Sequence, residues 1–202
     1  MNDVAGIALT GGLASRLGGK PKCFFRINGR RTLPALLEKL SSCFAEVLIS
    51  TRDPQPYLHL GVPLALDKAP QRCSLAGIHG GLDCCTSSHA FFAPCDAPFL
   101  QPELIRLLVG RVRPEVDVVI PARGNGRREP LCAVYSKRCL PHIAEQLAQE
   151  NKRIISFFHK VNVLEVPEAE LRAVDPDLVS FINLNTPADV KTAALLARSW
   201  RG

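Results

Sequence analysis

Short, continuous apolar runs alternate with helix-like segments along the whole chain, and this constrains the fold more than any other feature. Val4-Ala-Gly-Ile-Ala-Leu9 is apolar throughout and ends at the glycine pair Gly11-Gly12 one residue later. A strand covered on both faces has this pattern, because neither face meets water. Glu46 to Ser50, Val62 to Leu66, His89 to Cys95, Val116 to Pro121, Leu131 to Tyr135, Val161 to Val166 and Val179 to Leu184 read as further strands. Pro63 predicts that its strand starts late, since proline cannot donate to a ladder. Between the strands, Leu33 to Leu40, Ser74 to Asp83, Pro102 to Leu108 and Cys139 to Gln149 have helical spacing. Thr32 is the expected N-cap of the first of these. A last helix is expected after Thr186, with Pro187 at its first position and Asp189 where a capping box places its acid. The alternation predicts an α/β fold: a mainly parallel, Rossmann-like sheet with helices on both faces, a three-layer sandwich. A chain of 202 residues fits one domain over 1–202.

Composition narrows the function classes. At 47% hydrophobic and 22% charged the chain has a full core. No basic leader precedes an apolar stretch and no run reaches the length of a membrane span, so a soluble cytoplasmic protein is expected. The eight cysteines contain no CxxC pair. Reduced thiols are therefore expected in place of a zinc site or a disulfide framework. The net charge of +6 is modest, and aromatics at 6% do not interleave with the basic residues as they do in nucleic-acid binders.

Open parallel sheets bind ligands beyond the carboxyl ends of their strands, so the residues there are the informative ones. After the first run comes Leu9-Thr-Gly-Gly-Leu-Ala-Ser-Arg-Leu-Gly-Gly-Lys-Pro-Lys22. Glycines let a backbone approach an anion and aim successive N–H groups at its oxygens. Arg16 adds a planar fork and Lys22 a point charge. The spacing matches neither the dinucleotide fingerprint nor a Walker loop, in which Pro21 would have to be Ser or Thr. Asp96 follows the fourth run, where a carboxylate facing a phosphate loop suits Mg²⁺. Taken alone, such an aspartate more often caps a helix or forms a turn. Asp67 follows the third run and fits a turn cap, a metal ligand or an acceptor for a base. Arg128, beside Arg127 and Glu129, is either an exposed charged turn or a phosphate contact. Asn183 and Asn185 lie two apart and share one face if the run is a strand; without further context they read as turn and cap residues. Gly80-Gly81 point to close helix packing.

Four segments together resemble the molybdenum cofactor guanylyltransferase (MobA) family. They are Leu9-Thr-Gly-Gly with Ser15-Arg-Leu-Gly18 and Lys22; Cys95-Asp-Ala-Pro-Phe-Leu100; Glu129-Pro-Leu-Cys-Ala-Val-Tyr135; and Phe181-Ile-Asn-Leu-Asn-Thr-Pro-Ala-Asp189. They come in family order and span nearly the whole chain. The first two are shared by many nucleotidyltransferases, whereas the last is more specific. The resemblance implies a nucleotidyltransferase (GT-A-like) fold and transfer of GMP from GTP to the terminal phosphate of molybdopterin, with release of pyrophosphate. It implies Mg²⁺ on Asp96, and a triphosphate held by Arg16 and Lys22. Leu9, Thr10, Gly11, Gly12, Ser50 and Asp67 would contact the nucleotide. Arg128, Pro130, Asn183 and Asn185 would face the acceptor. Residues 1–100 would then be mainly nucleotide-binding and 101–202 acceptor-binding. Transient contacts with other cofactor-assembly proteins and with target oxidoreductases are further implications. The chain departs from the family pattern at Thr10 (usually Ala), Leu17 (Met), Ser50 (Asn in some members) and Cys73-Ser74 (Gly-Pro). Competing readings are a relative using CTP or another acceptor phosphate, and a noncatalytic nucleotide-binding module.

Overall fold

A computed structural model describes residues 3–10, 23, 25–27 and 29–199. The strands are β1 Val4–Leu9, β2 Arg26–Ile27, β3 Arg30–Arg31, β4 Val47–Thr51, β5 Leu64–Leu66, β6 His89–Pro94, β7 Val118–Arg123, β8 Arg127–Arg128, β9 Ala133–Ser136 and β10 Val163–Pro167. The helices are α1 Thr32–Cys43, α2 Ser74–Cys84, α3 Pro102–Val109, α4 Leu140–Ala148, α5 Glu168–Val174 and α6 Pro187–Ser199.

The main sheet has eight strands in the order β10-β7-β9-β6-β1-β4-β5, with β8 attached to β7, while β2 and β3 form a separate hairpin. All pairs along that order are parallel except those of β9, which runs antiparallel to both β6 and β7. Every residue of β1 is buried, as its unbroken apolar run requires. Alternate side chains along it enter opposite layers. Val4 and Ala8 pack with the leucines of α1 and with α3 and α5. Ala5, Ile7 and Leu9 pack with α2, α4 and the 3-10 turn Ile154–Lys160. A sheet between two helical layers is the expected three-layer sandwich. A small third core joins Ile27 of the hairpin to Phe99, Leu184 and Ala193 of α6.

Several local expectations hold. The β5 strand begins at Leu64, one residue past Pro63. Cys84 is exposed and Cys85 buried, as adjacent residues on a helix end require. At the start of α6 the N–H groups of Asn185 and Thr186 donate to the Asp189 carboxylate at 2.8 and 2.7 Å, and the Asp189 N–H donates to the Thr186 hydroxyl at 3.1 Å. This is the reciprocal capping box.

Two expectations are corrected. Thr32 is the first helical residue of α1 and not its cap; its hydroxyl donates to the Cys23 carbonyl at 3.1 Å and its N–H to that of Phe25 at 2.9 Å. The run Val179 to Leu184 is no strand. Its first three residues form a 3-10 turn entered through Leu178 in the left-handed region (φ 52°), and the rest is irregular. The cause lies upstream, where the Asp175 carboxylate accepts the N–H groups of Val179 and Ser180 at 3.0 and 2.9 Å. Those donors are then lost to a ladder, and a turn forms in its place. Asn183 and Asn185 therefore do not share a strand face.

Candidate active site at the carboxyl edge

The parallel strands β1, β4, β5, β6, β7 and β10 all end at one edge. Leu9 is in register with Ser50 on one side and Pro94 on the other, and Thr51 with Leu66. The residues following these positions form the floor of the site. Thr10 is tied to β4 twice, its N–H donating to the Ser50 carbonyl at 3.0 Å and its hydroxyl to the same oxygen at 2.9 Å. The extra hydroxyl that distinguishes this chain at Thr10 is thus spent on the neighbouring strand. Ser50 is 1% exposed and its hydroxyl donates to the Gly77 carbonyl of α2 at 2.7 Å. Its side chain fastens helix to sheet. Leu9 is a core residue whose carbonyl accepts the Cys95 N–H at 3.0 Å, which locks the end of β1 to the end of β6. Gly11, Gly12, Arg16 and Lys22 lie outside the described residues.

Asp67 begins the turn after β5. Its N–H donates to the Thr51 carbonyl at 2.8 Å, and its carboxylate accepts the Ala69 N–H at 3.0 Å. Burial raises the carboxyl above its ordinary value. The Ala69 N–H and the charges of Arg52 and His79 oppose that rise without cancelling it. A half-buried carboxylate in this condition gains from any further N–H donor placed against it.

Asp96 follows β6 and is half-buried. Its carbonyl accepts the N–H of Leu184 at 2.9 Å. That bond sets the segment carrying Asn183 and Asn185 directly beside Asp96, although the two are far apart in sequence. Leu184 is fully buried in the small third core, so the segment is held on both sides. Asn183 is half-buried and Asn185 exposed. Among the described residues no group of three or more His, Cys, Asp or Glu side chains could cage a metal. A single carboxylate does not fit a resident zinc or calcium ion. It does fit Mg²⁺, which takes one or two carboxylates and completes its shell with phosphate oxygens and water.

The remaining predicted residues lie farther along the same edge. The β8 strand pairs with the end of β7 on the edge away from β10, the same edge that carries β9, so Arg128 stands one strand spacing, roughly 5 Å, across the sheet from the line of β6. Arg128 is ion-paired to Glu165 of β10, with its Nε 2.7 Å from the carboxylate. Glu129 holds Arg123 at 2.8 Å and Arg127 at 3.2 Å. Arg123 also lies over the Phe181 ring, 5.4 Å from its centre. The Pro130 carbonyl accepts the Tyr135 hydroxyl at 2.7 Å. An open cleft of about 470 Å³ is lined by Gly126, Arg127, Arg128, Pro130, Lys152, Arg153, Ile154 and Ile155. It brings four cationic side chains together. Sequence reasoning missed Lys152 and Arg153, whose only signal was a pair of cations between a helix and two isoleucines.

A molybdenum cofactor guanylyltransferase of Desulfosudis oleivorans is 39% identical over 201 residues, covering 100% of this chain and 99% of that protein. A probable molybdenum cofactor guanylyltransferase of Natranaerobius thermophilus is 33% identical over 197 residues, covering 95% of each. The crystal structure of the molybdopterin-guanine dinucleotide biosynthesis protein A of Archaeoglobus fulgidus superposes with a TM-score of 0.85 at 27% identity, covering 97% of this chain and all of that one. The family model of the MobA-like NTP transferase domain matches residues 6–163, and the chain belongs to that family.

Proposed function

We propose that the protein transfers GMP from GTP to the terminal phosphate of molybdopterin, forming molybdopterin guanine dinucleotide and releasing pyrophosphate. The observation that carries this reading is the Leu184–Asp96 backbone bond, which joins the Asn183/Asn185 segment to the strand end that bears the metal-binding carboxylate. Donor and acceptor then meet along one edge. The nucleotide side comes from residues 1–100 and the acceptor side from 101–202.

Leu9, Thr10, Gly11 and Gly12 present backbone to the nucleotide, and Arg16 and Lys22 hold the triphosphate. Asp67 accepts from the base, and Ser50 acts indirectly by fixing Thr10 and α2. Asn183 and Asn185 line the pterin side. Arg128 and Pro130, with Lys152 and Arg153 in the same cleft, offer an anionic acceptor its positive surface.

In the reaction an oxygen of the acceptor phosphate attacks the α-phosphorus of GTP while the bond from that phosphorus to the β-phosphate bridging oxygen breaks. A phosphate monoester has a second pKa of about 6, so the nucleophile is already largely dianionic near neutrality and needs no strong general base. The chain's own contribution is alignment and charge neutralisation. Mg²⁺, when bound at Asp96, adds charge neutralisation on the phosphates.

The test is calorimetric titration with GTP, CTP, ATP and UTP, with and without Mg²⁺, on wild type and Asp96→Ala. Mg²⁺-dependent preference for GTP that is lost in the variant is expected, together with loss of transfer by folded Asp96→Ala. Preference for CTP, or near-wild-type turnover of the variant, refutes the reading.

A further inference from the structure

The cationic cleft owes two of its side chains, Lys152 and Arg153, to a short connection after α4, and one buried side chain shapes that connection. Gln146, in the last turn of α4, is 5% exposed. Its Nε2 donates to the Asn151 carbonyl at 3.2 Å and also to the Arg153 carbonyl. Both partners only accept, so the nitrogen of the amide must face them, and both of its hydrogens are used. The two carbonyls flank Lys152, so one amide pins the chain on either side of it. The backbone closes the same turn. The N–H of Asn151 donates to the Gln146 carbonyl at 3.1 Å and that of Glu150 to the Leu147 carbonyl at 2.9 Å, while the Asn151 Oδ1 accepts the Arg153 N–H at 3.1 Å. Glu150 stands in the left-handed region (φ 56°), which a residue with a Cβ enters at a cost, so the turn has to be held by its bonds. The base of the turn is fixed. Ile143 and Leu147 before it and Ile154 and Ile155 after it pack in one core cluster, and Gln71, in the connection between β5 and α2, donates to the Leu147 carbonyl at 2.9 Å. Arg127 and Arg128 are ion-paired to Glu129 and Glu165, whereas Lys152 and Arg153 have no acidic partner among the described residues.

We propose that Gln146 is a positioning residue of the acceptor side: its buried amide holds Lys152 and Arg153, the cations of the cleft whose charge is not already matched by a neighbouring carboxylate, in place for the acceptor phosphate. This rests on the reading of the cleft as the place of the anionic acceptor. Gln146 does not line the cleft, so its effect must pass through the turn it clamps.

Gln146→Met keeps the length of the side chain and removes both donors. Loss of a buried hydrogen bond corresponds to about a tenfold change in an equilibrium constant. A turn in place for about one tenth of the time binds its ligand about tenfold more weakly. In steady state the KM for molybdopterin should therefore rise about tenfold while the KM for GTP stays within about twofold. Asn151→Ala leaves the core untouched and removes only the side-chain acceptor of the Arg153 N–H at an exposed position; it should raise the same KM about threefold. The double variant Lys152→Ala/Arg153→Ala should itself raise the KM for molybdopterin. Adding Gln146→Met to it should change that KM by less than about twofold, because the side chains it positions are gone. An unchanged KM for molybdopterin in Gln146→Met or in Asn151→Ala overturns the proposal, as do equal rises for both substrates or a further rise of about tenfold when Gln146→Met is added to the double variant. A wild-type KM for molybdopterin in Lys152→Ala/Arg153→Ala overturns the reading of the cleft itself, and the proposal with it.

Discussion

Gly80→Ala sets two effects of opposite sign against each other. Gly80 lies inside α2, where replacing glycine by alanine normally stabilises by about 1 kcal/mol. A Cβ placed on Gly80 would stand 2.9 Å from the Leu66 carbonyl oxygen and 3.3 Å from the Asp67 Cα. Both neighbours are backbone, so no side chain can rotate away. The contact lies well inside the separation of about 3.5 Å at which such atoms attract, and relief requires α2 to move away from the end of β5. Overpacking of this kind costs about 1–3 kcal/mol, so the clash outweighs the helical gain and a net loss of about 1 kcal/mol is expected. Urea unfolding should show a lower midpoint at unchanged slope. Because the strained contact lies at Leu66 and the Asp67 Cα beside it, GTP affinity should fall as well. Gly81→Ala is the control. Its Cβ would meet Phe92 and Ile7 side chains in the core at 2.8 and 2.9 Å, and no atom of Asp67 is among its nearest neighbours. It should lose stability without losing GTP. If Gly80→Ala is stabilised by about 1 kcal/mol and binds GTP as tightly as wild type, the close packing of α2 against the nucleotide edge does not limit this helix and the reasoning fails.

Three further outcomes follow from the same structure. Leu184→Ala removes a fully buried side chain from the small third core and should cost about 2 kcal/mol in urea unfolding; steady-state kinetics should show a higher KM for the acceptor with little change in that for GTP. Thr186→Ala breaks the capping box of α6 and should cost about 1 kcal/mol by the same measurement, with unchanged GTP binding. Burial pushes the Glu46 carboxyl up, but the N–H groups of Thr86 and Ser87 and the Ser87 hydroxyl outweigh it and hold the group below its ordinary 4.5. Its folded pKa is therefore depressed, so its stabilisation is present above about pH 4.5 and is lost as pH falls through the folded value. Glu46→Gln should be less stable than wild type at pH 7 and converge with it near pH 3 in thermal melts.

Much of the fold was legible because its signals are local. The β1 run announces a strand covered on both faces, Pro63 delays β5, and Thr186 with Asp189 marks the start of α6. The failures were non-local. Val179 to Leu184 alternates as a strand would, but the Asp175 carboxylate takes the donors that a ladder needs. Thr32 has the right residue type for a cap, yet its hydroxyl is claimed by Cys23. The seven-residue α5 gave too short a pattern to be read. At the site, residues at strand ends could be named in advance, because topology alone sends those ends to one edge. Lys152 and Arg153 could not, since both reach the cleft from a connection whose own pattern carries no chemistry.

The placement of Asn183 and Asn185 shows how the two kinds of information combine. Neither asparagine is fixed by a ladder, and the residue between them is anchored to Asp96 by a backbone bond that no side-chain substitution can remove. Their position must then depend on what holds that backbone in place: Leu184 in its apolar cluster, the Asp175 turn before it and the capping box after it. Each of these is a local device of ordinary strength, about 1–2 kcal/mol. Weakening any one should displace both asparagines together relative to Asp96, which means losing the acceptor before losing the nucleotide. In the proposed assignment the glycine-rich loop binds phosphate, and the choice of acceptor belongs to the other end of the chain.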